Sequence, residues 1–147
     1  MKKKNIIFTV IFLAVTVFIF TNSAKDAVTS SEQSSFFALF LINNFPFILN
    51  DYDTAVVVIR KLAHFTEFFL QGISFSGIFP GYKYCKNIIY VLFIGLFSAC
   101  IDEFIQLFFE GRAGMVIDIF IDFGGTVLSV IIYALLLFLY KKKRINS

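Results

Sequence analysis

Polar and charged side chains recur at helical spacing inside stretches that are otherwise apolar. In the stretch 55–79, one row has intervals of 4, 7 and 11 residues from its first member: Arg60, His64, Glu67 and Gln71. This spacing places the row on one face of a helix. His64 and Glu67, three residues apart, have the arrangement expected of a general acid/base pair. A charge at the centre of a bilayer costs about 2.5–3.5 kcal/mol on insertion scales, so such residues are functional candidates.

Two later stretches carry similar rows. One has the same 4, 7 and 11 intervals: Asp118, Asp122, Gly125 and Ser129. The other contains Ser98, Asp102 and Gln106, with Glu103 beside them. The helical rise brings the three rows to similar depths, so we expect the only histidine and five carboxylates to form one layer. The residues predicted to be catalytic are His64, Glu67, Asp102, Glu103 and Asp118. Those predicted to bind a ligand are Arg60, Lys61, Gln106, Arg112 and Asp122.

Two other interpretations of these residues remain open. The first is a buried ion-pair network, with Arg60 or Lys61 pairing with Asp118, and Arg112 with a carboxylate of the neighbouring row. The second is a divalent metal site, which one histidine and several carboxylates could form. The spacing matches no metal-binding motif closely, so neither a metal nor a cofactor is predicted.

The elements that position these residues are predicted from hydropathy. The chain has 147 residues and a mean hydropathy of +0.84. Its hydrophobic fraction, 59%, is above the roughly 45–50% that is typical of a soluble domain. Four apolar runs approach the length that crosses a bilayer, at about 5–21, 55–79, 88–109 and 116–140. We therefore predict an all-α integral membrane protein with four transmembrane helices in a single domain, 1–147. Nucleic-acid binding is not expected, because the basic residues cluster at the two ends beside apolar runs.

The distribution of Lys and Arg predicts the orientation. With the N-terminus in the cytoplasm, nine basic residues fall on that side: Lys2, Lys3, Lys4, Lys83, Lys86, Lys141, Lys142, Lys143 and Arg144. Leaving out Arg60 and Lys61, which lie at the outer end of the second span, only Lys25 and Arg112 fall outside. The positive-inside rule therefore predicts that both termini are cytoplasmic, with outer loops at 22–54 and 110–115.

Alternatives concern the first third of the chain. The first span also has the form of a cleaved signal peptide, although Thr21 to Ala24 make a mediocre cleavage site. A fifth span through Phe36–Leu49 is disfavoured because it is short and polar, so a short interfacial or re-entrant segment is predicted there. The Ser-rich segment Asn22–Ser35 is interpreted as a solvated loop with a helix cap near Ser31. An alternative is that some of its hydroxyls close over a site below.

Together these residues resemble the VanZ-like family. The resemblance rests on Arg60–Phe68, Asp102–Phe108, Gly111-Arg112 and the stretch from Asp118 to Gly125. It covers nearly the whole chain. Three positions depart from the family pattern: Glu110, where Pro is frequent, Asp122, where Asn is also common, and Ser129, where Gly is frequent.

The resemblance implies a multi-pass protein of the bacterial cytoplasmic membrane, associated with resistance to teicoplanin-type glycopeptides. It thus implies a setting, the outer face of the cell envelope, and not a reaction. The favoured hypothesis is that the protein acts on or binds an envelope component there: a lipid-linked or cell-wall component, or the glycopeptide itself. An alternative is an outer-leaflet enzyme that uses the His/Glu/Asp cluster on a lipid-linked or cell-wall substrate. A proton-coupled carrier is the least favoured hypothesis, because four spans with no internal repeat do not resemble a transporter.

Overall fold

A computed structural model describes residues 3–44, 51–79 and 84–145, and the regular structure of these residues is entirely helical. Five helices follow one another: α1 (Lys3–Ser23), α2 (Ala27–Asn44), α3 (Tyr52–Ile78), α4 (Tyr84–Gln106) and α5 (Val116–Ile145). The prediction of an all-helical protein is thus confirmed for these ranges.

Three of the helices are long and apolar enough to cross a membrane: α1, residues Lys86–Gln106 of α4, and α5. Their outer surfaces carry large apolar side chains such as Val17, Phe97 and Leu135, each more than half exposed. Surfaces of this kind are typical of helices that contact lipid. Helix α3, predicted to be the second span, is not among the three, because its polar row interrupts the apolar run. The predicted count of four spans therefore stays a prediction.

Helix α3 occupies the centre of the fold. Its 27 residues give a length of about 40 Å, and it packs against each of the other four helices. Its polar row is covered by neighbours: for example, Gln71 is 1% exposed and donates hydrogen bonds to Thr16 Oγ1 (3.0 Å) and Ser98 Oγ (3.3 Å). A helix surrounded in this way can carry charged residues that do not face lipid.

Glycine allows α3 and α5 to approach closely. A Cβ atom at Gly125 would overlap the backbone oxygen of Phe65 and come within 3.0 Å of the Phe69 nitrogen. At the adjacent Gly124, a Cβ would lie 3.5 Å from the Phe65 ring, an ordinary van der Waals contact. This pair therefore lies at a close helix–helix contact, and Gly125 is the residue that requires it.

We expect Gly125→Ala to destabilise the folded protein by about 1–3 kcal/mol, because the new methyl group meets backbone atoms that cannot move aside. Thermal unfolding of the purified protein in detergent measures the effect. Gly124→Ala is the matched control, and it should be neutral or slightly stabilising, since Ala favours a helix over Gly by up to about 1 kcal/mol. Equal melting temperatures for the two variants would contradict the assignment.

The segment after α1 differs from its prediction. The solvated loop predicted at Asn22–Ser35 is wrong, because α2 begins at Ala27, and the predicted cap near Ser31 is also wrong. The side chain of Asp26 caps the helix by accepting a hydrogen bond from Thr29 N at 2.7 Å. Hydrogen bonds from Thr29 lower the pKa of Asp26, so the cap is an anion at the positive end of the helix dipole.

Helix α2 also overlaps the predicted interfacial segment. It continues through the first part of Phe36–Leu49 as far as Asn44, and residues 45–50 lie outside the described residues. Phe36, Phe37 and Phe40 are exposed on its second half. The helix packs on α3, and its second half has an exposed apolar surface.

Helix α4 ends earlier than predicted, at Gln106 instead of near residue 109. The following link turns at Gly111, whose φ of 72° lies in the left-handed region that favours glycine. The link then folds back on α4, where Glu103 Oε2 accepts a hydrogen bond from Met115 N at 2.7 Å. This contact fixes the start of α5 against the last turn of α4.

The basic ends of the helices lie together. Phe12, in the middle of α1, contacts Phe75, near the end of α3, with ring centroids 4.7 Å apart. At the same end, the Tyr84 hydroxyl lies 3.2 Å from Ser76 Oγ, and its ring lies 4.7 Å from that of Tyr133 in α5. Lys3, Lys4, Lys86 and the basic tail of α5 therefore share one end of the bundle. Lys2 and Lys83 lie outside the described residues.

Candidate functional site

The opposite end of the bundle contains the polar layer. Each element contributes a short stretch there: the end of α1, the first half of α3, the last turn of α4, the link after it and the first turns of α5. Because the helices alternate in direction, residues far apart in sequence meet at this level.

Asp102 lies at the centre of the layer and is completely buried. One carboxylate oxygen, Oδ1, accepts a hydrogen bond from Ser23 Oγ of α1. The other, Oδ2, accepts one from Gln106 Nε2 at 2.9 Å and lies 3.5 Å from His64 Nδ1 of α3. One carboxylate thus joins three helices.

Asp122 is 1% exposed, and neither of its oxygens has a hydrogen-bond partner among the described residues. It lies beside His64 and Asp102, and one ligand atom from each of the three residues falls within 4.8 Å of the others. His64 Nδ1 also lacks a partner with hydrogen-bond geometry among the described residues. Buried polar atoms in native proteins nearly always have partners, so this cluster requires an explanation.

Glu67 points into the bundle, as its place in the α3 row predicts. Its Oε1 accepts a hydrogen bond from Asn22 Nδ2 at 3.0 Å, while Oε2 is buried with no partner among the described residues. Asn22 is itself held by Lys25, whose Nζ donates to Asn22 Oδ1 at 2.8 Å. The polar turn after α1 therefore covers this part of the layer.

The ion-pair interpretation holds for one pair and fails for another. Lys61 Nζ contacts Asp118 Oδ1, as that interpretation predicts. Arg112, however, donates to Gln106 Oε1 (3.1 Å) and to the backbone oxygen of Lys25 (3.2 Å). Among the described residues, its recorded partners include no carboxylate of α4.

Arg112 lies in the link between α4 and α5 and is partly buried. Burial, followed by the neighbouring Arg60, lowers the pKa of its guanidinium from the ordinary value. Two cations that repel each other favour an anion placed near both.

Two spaces meet at this end of the bundle and share Arg60, His64 and Arg112 as lining residues. The inner one is a small cavity. The volume within which the centre of a water molecule fits is about 10 Å³, which is enough for about one water or ion. It is also lined by Lys61, Glu103, Gln106, Asp118, Ile121 and Asp122. The outer one is a groove of about 270 Å³ between α2 and α3, where apolar residues such as Phe18 and Phe37 lie beside Glu67.

Most of the predicted site residues come together. Eight line the small cavity, Glu67 lines the adjoining groove, and Asp102 lies behind both. Their predicted catalytic and binding roles stay predictions. The sequence interpretation missed three partners: Asn22 in the last turn of α1, the carbonyl of Lys25 after it, and Met115 N. The idea that hydroxyls of the Ser-rich segment close over the site was a usable signal, since Ser23 binds Asp102.

A family model described as VanZ/LLP1 matches residues 7–138 of the chain. Neither a curated protein nor a solved structure matches the chain. The family match covers all the residues of the polar layer.

Proposed function

The chain belongs to the VanZ/LLP1 family. From this premise, we propose that it is a multi-pass protein of the bacterial cytoplasmic membrane that binds an anionic, lipid-linked component of the cell envelope at the outer face. Binding of this component would contribute to resistance against teicoplanin-type glycopeptides by changing what the antibiotic can reach.

The proposed topology has four spans, with α3 as the second and both termini in the cytoplasm. The polar face of α3 is covered by the other helices, which supports a span that is not apolar on every side. The basic residues at one end of the bundle support a cytoplasmic location for that end. The polar layer would then open outward, with α2 lying at the interface and its exposed Phe residues in the outer leaflet.

The observation that carries the proposal is the composition of the groove. Arg60 and Arg112 line one part of it, and Phe18, Phe37 and Ile59 line another. A guanidinium is suited to a phosphate, to which it can donate paired hydrogen bonds. Apolar walls beside it suit the first part of a lipid chain. An anionic headgroup attached to a lipid combines both features.

We expect Arg60→Glu to prevent complementation of a deletion strain, because a carboxylate would repel an anionic headgroup in the groove. The lipid-linked precursors and cell walls of the deletion strain are compared with those of its parent, together with teicoplanin susceptibility. Strains that carry the wild type or a variant on a plasmid show which proteins restore the parental pattern.

Lys142→Glu is the matched control, since it reverses one charge at the other end of the bundle, and it should complement fully. The proposal is refuted if parent and deletion strains have the same lipids, walls and susceptibility. It is equally refuted if Arg60→Glu complements as well as the wild type does.

A second candidate is an outer-leaflet enzyme, favoured by the position of His64 between Asp102 and the groove. In that role His64 and Glu67 would exchange protons with a bound substrate, while Asp102 orients the imidazole. Glu103 and Asp118 would adjust the field from the cavity side. His64→Gln separates the two candidates, because an acid/base enzyme should lose nearly all function, whereas a binding site should lose it only in part.

A further inference from the structure

His64, Asp102 and Asp122 form a cluster that the groove does not explain. They come from α3, α4 and α5, and one ligand atom of each lies within 4.8 Å of the other two. We propose that these three side chains bind one divalent transition-metal ion. The inference rests on these residues alone and stands whether or not the groove binds a lipid.

The carboxylate of Asp122 gives the first reason. Both of its oxygens are buried, neither has a hydrogen-bond partner among the described residues, and the side chain faces the cluster. An unpaired carboxylate away from water costs several kcal/mol, so native structures pair such groups or coordinate them to metals. A cation between Asp122, Asp102 and His64 provides the missing partner.

The nearby cations give the second reason, because two of them are engaged elsewhere. Lys61 pairs with Asp118, and Arg112 binds Gln106 and the Lys25 carbonyl. Neither arrangement supplies a donor to Asp122.

The environment of Asp102 resembles the outer shell of a metal site. Its Oδ1 accepts from Ser23 Oγ and its Oδ2 from Gln106 Nε2. Ligating carboxylates are commonly held by such hydrogen bonds, which fix their orientation before the metal arrives. One lone pair on Oδ2 remains available toward His64 and Asp122.

The donor set and the available space indicate the class of ion. One imidazole and two carboxylates suit Zn²⁺ or Mn²⁺, with ligand atoms about 2.0–2.2 Å from the metal. With these metal–ligand distances, two ligand atoms of one ion lie about 3–4 Å apart. The three atoms here lie within 4.8 Å of one another, so binding an ion requires each to move inward by about 1 Å. Two positive charges neutralise the two aspartates. The adjoining cavity holds about one more water-sized ligand, which leaves an open coordination position.

Equilibrium dialysis of the purified full-length protein in detergent against Zn²⁺ and Mn²⁺, followed by elemental analysis, tests the proposal. We expect one equivalent of at least one of the two ions per chain. Asp122→Asn and His64→Ala should weaken this binding about 100-fold or more, because losing even an outer-shell partner costs about 10- to 100-fold. Ser23→Ala, which removes such a partner, should weaken it by about 10-fold.

Glu67→Gln is the matched control, since it removes a carboxylate from the same layer without freeing a cation and keeps an acceptor for the Asn22 amide, and it should retain the full equivalent. If a variant does not fold, the visible absorption of Co²⁺ added to the wild type replaces it as the readout. Less than one equivalent of both ions in the wild type, together with no Co²⁺ absorption, overturns the proposal. Equal weakening by Glu67→Gln and Asp122→Asn also overturns it, because only negative charge would then matter.

Discussion

Asp102→Ala should abolish complementation of a deletion strain, the assay of the proposed function, while the protein remains in the membrane. The substitution removes one acceptor each from the Ser23 hydroxyl and the Gln106 amide, and it removes the carboxylate beside His64. Ser23 Oγ and Gln106 Nε2 retain acceptors within their own helices, Ile19 O and Glu103 Oε1. The polar contacts by which Asp102 joins α4 to α1 and α3 are lost, and with them the local arrangement of the three helices. The close packing of α3 on α5 through Gly125 does not involve Asp102, and it should keep the fold assembled.

His64→Ala, Glu67→Ala and Arg112→Ala should each have the same effect. The three side chains line the groove, and each contacts a different residue of the polar layer. Teicoplanin susceptibility and envelope composition of a complemented deletion strain measure function. Immunoblots of washed membranes and thermal unfolding in detergent measure the amount and stability of each protein.

Thr29→Ala is the control for these variants, because Thr29 lies outside the groove and the small cavity. It should keep full function. If all four variants also keep full function, the layer is not a functional site. If they disappear from the membrane, the layer is a structural network, and the ion-pair interpretation is the correct one.

The rows of polar residues were predictable because a helix has a fixed period. Once the stretch 55–79 is taken as a helix, His64, Glu67 and Gln71 must share a face, and if the helix crosses the membrane, that face is expected to point inward, away from lipid. The structure places all three against polar partners. The row of Ser98, Asp102 and Gln106 predicted the place of Asp102 in the same way.

Helix α2 was not predictable from composition. Serine favours turns and caps because its hydroxyl competes for backbone hydrogen bonds. Here the hydroxyls bond within the helix itself, with Ser34 Oγ donating to Ser30 O at 3.1 Å and Ser35 Oγ to Glu32 O at 2.6 Å. Packing on α3 then decides the conformation, which no local pattern reveals.

The shared layer was predicted, but His64, Asp102 and Asp122 were not predicted as one set of metal ligands, for a different reason. Metal-binding motifs are recognised by ligands at short, fixed spacing. Here Asp102 and Asp122 follow His64 by 38 and 58 positions along the chain. Only the crossing of three helices brings them together. Similarly, the partnership of Asn22 with Glu67 depends on where α1 ends relative to α3, and hydropathy does not fix that position.

Labelling of single cysteines should give an all-or-none result for the proposed topology. In a background with Cys85→Ser and Cys100→Ser, we expect Glu32→Cys to react with a membrane-impermeant maleimide in intact cells. Lys143→Cys should react only after the membrane is permeabilised. Glu32 is exposed near the polar layer, and Lys143 is exposed at the basic end of α5, so the two positions report opposite ends of the bundle.

The physical reason for this expectation is the charge of the two ends. Moving Lys3, Lys4, Lys86 and the basic tail across the membrane would oppose the positive-inside rule, whereas the polar-layer end carries few basic residues. If both cysteines react only after the membrane is permeabilised, α3 does not cross as proposed or the bundle is oriented otherwise. Labelling of Lys143→Cys in intact cells would place the basic end outside, and the groove would then open to the cytoplasm and could not reach an outer-leaflet headgroup.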